Sequence, residues 1–147
     1  LRKGDDNGAK AAFQKALTVN DGSFSAYQAR IELAQIFSRA RSTEEARTQL
    51  NRVIEDRNDE LAAQAQKVLG DIYFQIGDYQ EALTNYLRVK YVYQAYPAWV
   101  ANALFSAGNS YEKLGQKEEA KKVYQEVVSK YPAELISEKA KERLAVL

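Results

Sequence analysis

"GDIYFQIGDYQEALTNYLRV", residues 70–89, aligns without a gap on "GNSYEKLGQKEEAKKVYQEV", residues 108–127. Gly70, Tyr73, Gly77, Ala82, Tyr86 and Val89 fall on Gly108, Tyr111, Gly115, Ala120, Tyr124 and Val127. Small and bulky residues recurring at fixed offsets mark a repeat array. A fainter copy precedes in the same register: Ala34, Phe37, Arg41, Ala46, Leu50 and Val53. Half a copy opens the chain at Gly4, Ala9, Phe13 and Ala16. The full units are 36 and 38 residues long, from Ala34 to Gly70 and from Gly70 to Gly108.

Each copy reads as a pair of helices. Ala62, Ala65, Leu69, Ile72, Tyr73 and Ile76 recur at threes and fours, and so do Tyr79, Ala82, Leu83, Tyr86 and Leu87. Between these stripes, Gly77 suits the left-handed position that ends a helix, and Asp78 with Glu81 makes a capping-box start. Ser42 with Glu45 repeats that start signal, whereas Gln116 is a poor cap. No stretch alternates as a strand does. Helices are expected at about 7–19, 24–39, 43–56, 60–76, 79–95, 97–114, 117–130 and 133–146. Each pair carries two apolar faces, so the pairs must stack to bury them.

Composition bounds the chemistry. The 147 residues are 46% hydrophobic and 28% charged, with 21 basic and 20 acidic side chains of mixed order. No segment is basic enough to read as a nucleic-acid footprint, and no apolar run approaches the ~20 residues of a membrane span. Histidine and cysteine are both absent, which removes the common zinc sites and the nucleophile arrangements that need either residue. The pairs Asp5-Asp6, Glu44-Glu45 and Glu118-Glu119 fall at predicted helix starts, where acids complement the helix dipole. No enzyme activity, metal or cofactor is expected.

Leu69-Gly70, Tyr73, Ala82 and Tyr86, then Leu104, Gly108, Tyr111, Ala120, Tyr124 and Pro132, resemble the signature of the tetratricopeptide repeat. Gln66 and Ala34 depart from it, standing where that family has a bulky apolar residue and a glycine. The resemblance implies an all-α fold: a right-handed superhelical solenoid of stacked antiparallel helix pairs, about eight helices in one domain. It implies a half repeat at 1–22, repeats at 24–58, 60–96 and 97–132, and a terminal helix at 133–147. The Tyr-Pro endings at 96–97 and 131–132 resemble bacterial-envelope repeats, such as those of the Tol-Pal coordinator and the outer-membrane assembly lipoprotein. That implies a periplasmic or envelope location.

The resemblance also implies where a partner binds. In that family the first helix of each pair lines a concave groove through fixed positions. Here they are Gln28, Ile31, Gln35, Ser38 and Arg39, then Gln64, Lys67, Asp71, Phe74 and Gln75, then Asn102, Phe105, Asn109, Glu112 and Lys113. Amides suit hydrogen bonds to a bound backbone, and Phe74 and Phe105 suit anchoring of a side chain. The expected partner is a protein or peptide segment. The subtype that grips a C-terminal carboxylate is disfavoured, because Asp71 would repel it.

Two further expectations concern "KYVYQAYPAWV", residues 90–100, and the chain ends. Gly70 to Pro97 spans three residues more than Gly108 to Pro132, and the extra residues are placed in the helix near 90–93, pairing Tyr96-Pro97 with Tyr131-Pro132. Tyr96 and Trp99 then pack in a seam, while Tyr91 and Tyr93, two apart, cannot share a face, so one is exposed. "LRKG" stands where the first helix of a pair would end, which suggests a fragment of a longer array and homo-association through unpaired terminal helices.

Overall fold

The apolar stripes fold into eight α-helices in the computed structural model, which describes residues 3–19 and 22–147. They are α1 (Lys3–Val19), α2 (Phe24–Arg39), α3 (Thr43–Asp56), α4 (Glu60–Gln75), α5 (Tyr79–Val92), α6 (Pro97–Lys113), α7 (Lys117–Lys130) and α8 (Ile136–Val146). Among the described residues there is no strand. The chain divides into two compact units, Leu1–Val68 and Leu69–Leu147, and α4 contributes to both.

A single stop-and-turn device shapes the hairpins. Gly77 and Gly115 take φ of 84° and 74°, the left-handed region that glycine enters without strain. The Asp78 N–H donates to Tyr73 O at 2.9 Å and the Gly77 N–H to Phe74 O at 3.1 Å, a Schellman closure that satisfies two carbonyls at the helix end. Gln116 and Gly115 repeat it onto Tyr111 and Glu112. In the first unit Ser42 and Arg41 repeat it onto Phe37 and Ser38, with Arg41 held at φ 61°.

The starts differ more. Asp78 accepts from the Glu81 N–H, as its capping-box reading predicts, and Ser23 accepts from Ala26. Ser42 makes no side-chain cap bond. Its backbone (φ −89°, ψ 69°) nearly matches that of Asp78 (φ −86°, ψ 74°), whereas Ser23, the serine that does cap, has an extended backbone (φ −81°, ψ 159°).

In the first unit α1 packs on α2 and α2 on α3. Ala34, Leu33, Ala46, Leu50 and Val53 are fully buried there. In the second unit α5 packs on α6, α6 on α7, and α7 on α8, which also reaches α6. Tyr86 and Tyr124 fill its interior, each lying directly against a glycine. A Cβ at Gly70 would sit 2.5 Å from Tyr86 Cε1, and one at Gly108 2.5 Å from Tyr124 Cζ. Contacts that short are not tolerated, so the ring requires the missing side chain.

The 90–100 stretch corrects the placement of the extra residues. Helix α5 ends at Val92, giving it the same 14-residue length as α7. Tyr93 (φ −115°, ψ 43°) and Tyr131 (φ −128°, ψ 47°) are the equivalent caps, donating to Val89 O and Val127 O. The additional residues are therefore Gln94, Ala95 and Tyr96, which form a turn and leave the helix unlengthened. Pro97 opens α6 as expected, but Pro132 lies in a turn and α8 begins only at Ile136. The two Tyr-Pro doublets are thus not equivalent places. Tyr91 is the exposed tyrosine, 65% accessible, and Tyr93 is buried.

Candidate functional site

The groove positions separate by unit. In the first, Gln28, Gln35 and Arg39 are exposed on α2 and Ser38 is half-buried. Ile31 is 1% exposed. It belongs to the core and cannot line a surface, because an apolar side chain among amides gains by turning inward. Gln64 and Lys67 are half-buried on α4.

In the second unit the face is denser. Asp71, Phe74, Asn102, Phe105, Asn109 and Glu112 are half-buried, and Gln75 and Lys113 are exposed. Each ring is braced by a tyrosine: Phe74 meets Tyr79 edge-on at 5.0 Å between centroids, and Phe105 lies 5.5 Å from Tyr124. Asn102 Nδ2 donates to Ala98 O at 2.8 Å, which fixes its amide against its own helix.

Three acceptors on this face lie against the buried phenols. Tyr86 OH donates to Asp71 Oδ1 at 2.6 Å. Tyr124 OH lies 2.7 Å from Asn109 Oδ1 and 2.6 Å from Glu112 Oε2. The hydroxyl has one proton, and the charged acceptor makes the stronger bond with it. Burial first, then the neighbouring carboxylate, pushes both phenols well above the usual tyrosine range: Asp71 for Tyr86 and Glu112 for Tyr124. Both therefore remain protonated donors. The shared spacing of fifteen residues, Asp71 to Tyr86 and Asn109 to Tyr124, was a readable signal for these bonds.

Glu112 is also gripped from α8. Arg143 Nε donates to its two oxygens at 3.0 and 2.8 Å. That bond, opposed by burial and helped by Tyr124, holds the Glu112 carboxyl below the usual range. Arg143 was not among the expected site residues, since the repeat register does not extend to α8. On the side of α5 and α7, Lys90 Nζ donates to Glu126 at 2.9 Å. Desolvation would raise Glu126, but Lys90 and Lys130 outweigh it and keep the carboxyl low.

Among the described residues no cluster of three or more acids, histidines or cysteines is placed to hold a metal, and no helix is long and apolar enough to cross a membrane. Residues 61–133 match the family profile described as tetratricopeptide repeat. They contain the aligned glycine and tyrosine positions, two of the three Schellman turns and the ring-on-glycine packing. Residues 61–133 are tetratricopeptide repeats. The fold agrees over a longer span. A crystal structure of MamA superposes with a TM-score of 0.72 at 22% identity, covering 98% of this chain and 77% of that one. A second MamA structure gives 0.70 at 22%, covering 98% and 72%. BtubC (BKLC) from P. vanneervenii gives 0.74 at 19%, covering 84% of this chain and 56% of its own. No curated protein matches. The chain thus has the helix-pair fold of tetratricopeptide-repeat structures, a fold that generally serves as a protein-interaction scaffold.

Proposed function

We propose that this chain is a non-catalytic scaffold that holds a peptide or protein segment along the first helices of its repeats, chiefly in the second unit. The observation that carries the reading is the character of that face: Phe74 and Phe105 are half-buried and braced, with Asp71, Asn102 and Asn109 on the same two helices. A braced ring loses little freedom when a ligand packs on it. Asparagine offers both a donor and an acceptor, which suits a partner's backbone. The tetratricopeptide repeats of residues 61–133 include this face, and tetratricopeptide repeats bind protein partners.

A photo-crosslinker at Gln75, Asn102 or Lys113 tests it, with Gln80 and Gln125 on the second helices as controls. A peptide selected from a displayed library is expected to label from the first three positions only. Labelling from Gln80 and Gln125 alone would move the site to another surface. The envelope location is not part of this proposal, because the Tyr-Pro doublets that suggested it occupy different places in the fold.

A second reading, self-association, has its own support: Leu135 and Val146 are 94% and 68% exposed at α8. Sedimentation over a hundredfold concentration range would reveal it as a rising mass. A constant monomer mass removes this reading.

A further inference from the structure

In the first unit an open hollow of about 470 Å³ is lined by Arg30 of α2 and by Thr48, Asn51, Arg52 and Glu55 of α3. The four α3 residues follow helical spacing and form one stripe. Arg30 Nη1 donates to Gln49 Oε1 at 2.8 Å, which orients it from α3. Arg52 Nε pairs with Asp56 Oδ2 at 2.6 Å, and the same oxygen accepts from Tyr27 OH at 2.8 Å. A guanidinium carries five N–H donors in a rigid fork, so this bond positions Arg52 and leaves capacity for a ligand.

The repeat register shows that neither arginine is demanded by the hairpin. Arg30 stands where the later copies have Gln66 and Leu104, which are 4% and 0% exposed. Arg52 stands where they have Arg88 and Glu126. In the second unit Glu126 takes Lys90 from α5 and Lys130 from its own helix. In the first unit the corresponding place is a cation whose acid, Asp56, lies on the same helix. A stripe that bonds across helices through an acid in one unit is a cation-lined hollow in the other.

We propose that this hollow is a second interaction site, which takes a carboxylate side chain from an acidic protein segment. Two guanidiniums provide forked recognition of a carboxylate, and Thr48 and Asn51 add neutral donors. Glu55 sets the limit: its charge is tolerable beside a single carboxylate and repels a polyanion, which favours a peptide acid over a chain of phosphates. Arg30 lies about 140–180° around the helix from Gln28, Gln35 and Arg39, so this site faces away from the exposed groove positions of α2 and goes beyond the reading above.

The test uses the whole chain with isotope-labelled arginine and asparagine side chains. It is titrated at fixed ionic strength with a blocked hexapeptide carrying two glutamates, with its glutamine counterpart, and with inorganic phosphate. The glutamate peptide is expected to shift the Arg30 and Arg52 Nε–H and Asn51 amide signals saturably, with the glutamine peptide at least tenfold weaker. Arg30→Gln/Arg52→Gln is expected to lose at least tenfold in affinity with an unchanged melting curve. If the double variant does not fold, Arg30→Gln alone, which copies Gln66, is expected to lose at least threefold. Equal binding of the two peptides, undiminished binding by the variant, or phosphate binding more tightly than the glutamate peptide would overturn the proposal.

Discussion

The α2–α3 hairpin of the first unit and the α6–α7 hairpin of the second solve the same packing problem with different residues. Where the second has Gly108 under Tyr124, the first has Ala34 and Leu50, both fully buried. Size removed from one helix is returned on the other, so the pair of positions is the unit of design and neither residue has meaning alone. The larger ring brings a second consequence. Leu50 carries no polar atom, but a buried phenol must find an acceptor, and Tyr124 finds Asn109 and Glu112 on the face where a partner is proposed to bind. The core of the second unit therefore fixes its surface acceptors, whereas Gln35, the counterpart of Asn109, is exposed over a core that offers it no hydroxyl.

The largest expected effect comes from breaking the pair. Gly108→Ala drives a methyl onto a ring that is itself 0% exposed and has nowhere to swing, so it should destabilise by about 3 kcal/mol in denaturant unfolding. In the first unit Ala34 already carries that methyl, and Leu50 stands in the register position of the ring. Tyr124→Phe keeps the ring and deletes the hydroxyl, leaving the Glu112 carboxylate without the proton that Tyr124 donates to it. Since the acceptor is charged, a loss of about 2 kcal/mol is expected, readable as a lower urea midpoint.

The grip of Arg143 on Glu112 sharpens the contrast through pH. The Glu112 pKa is lowered in the folded state, so the stabilisation is fully present above its unfolded value of about 4.3 and is lost as pH falls through the folded value. The melting temperature of the natural chain should exceed that of Glu112→Gln at pH 7, and the gap should close toward pH 3. A gap independent of pH would mean that the charge contributes nothing there. The smallest effect is at the turns. Arg41 occupies at φ 61° the place that Gly77 and Gly115 fill without strain, so Arg41→Gly should stabilise by about 0.5–1 kcal/mol, seen as a higher melting temperature.

Much of this was legible in the sequence, because it rested on pairs at fixed offsets. Gly77 marked a helix end, and the six matched positions of 70–89 and 108–127 marked the repeat, while the packing of Tyr86 on Gly70 and of Tyr124 on Gly108 emerged from the structure. The three extra residues were misplaced because Tyr96-Pro97 was paired with Tyr131-Pro132 on the shared doublet, and only backbone geometry identifies Tyr93 as the counterpart of Tyr131. Ile31 was misread by carrying a family position over without weighing its apolar side chain. The bond from Arg143 to Glu112 joins residues 31 apart across a turn whose proline does not open a helix, so no local pattern announced it.

The most direct measurement is a double-mutant cycle on Gly108 and Tyr124. Gly108→Ala and Tyr124→Leu each destabilise alone, the second by opening a cavity. Together they recreate the Ala34–Leu50 arrangement, and the double variant should be more stable than the sum of its parts by at least about 1.5 kcal/mol. Additive losses would show that the two positions do not answer to each other, and the account of how these repeats are held together would fail.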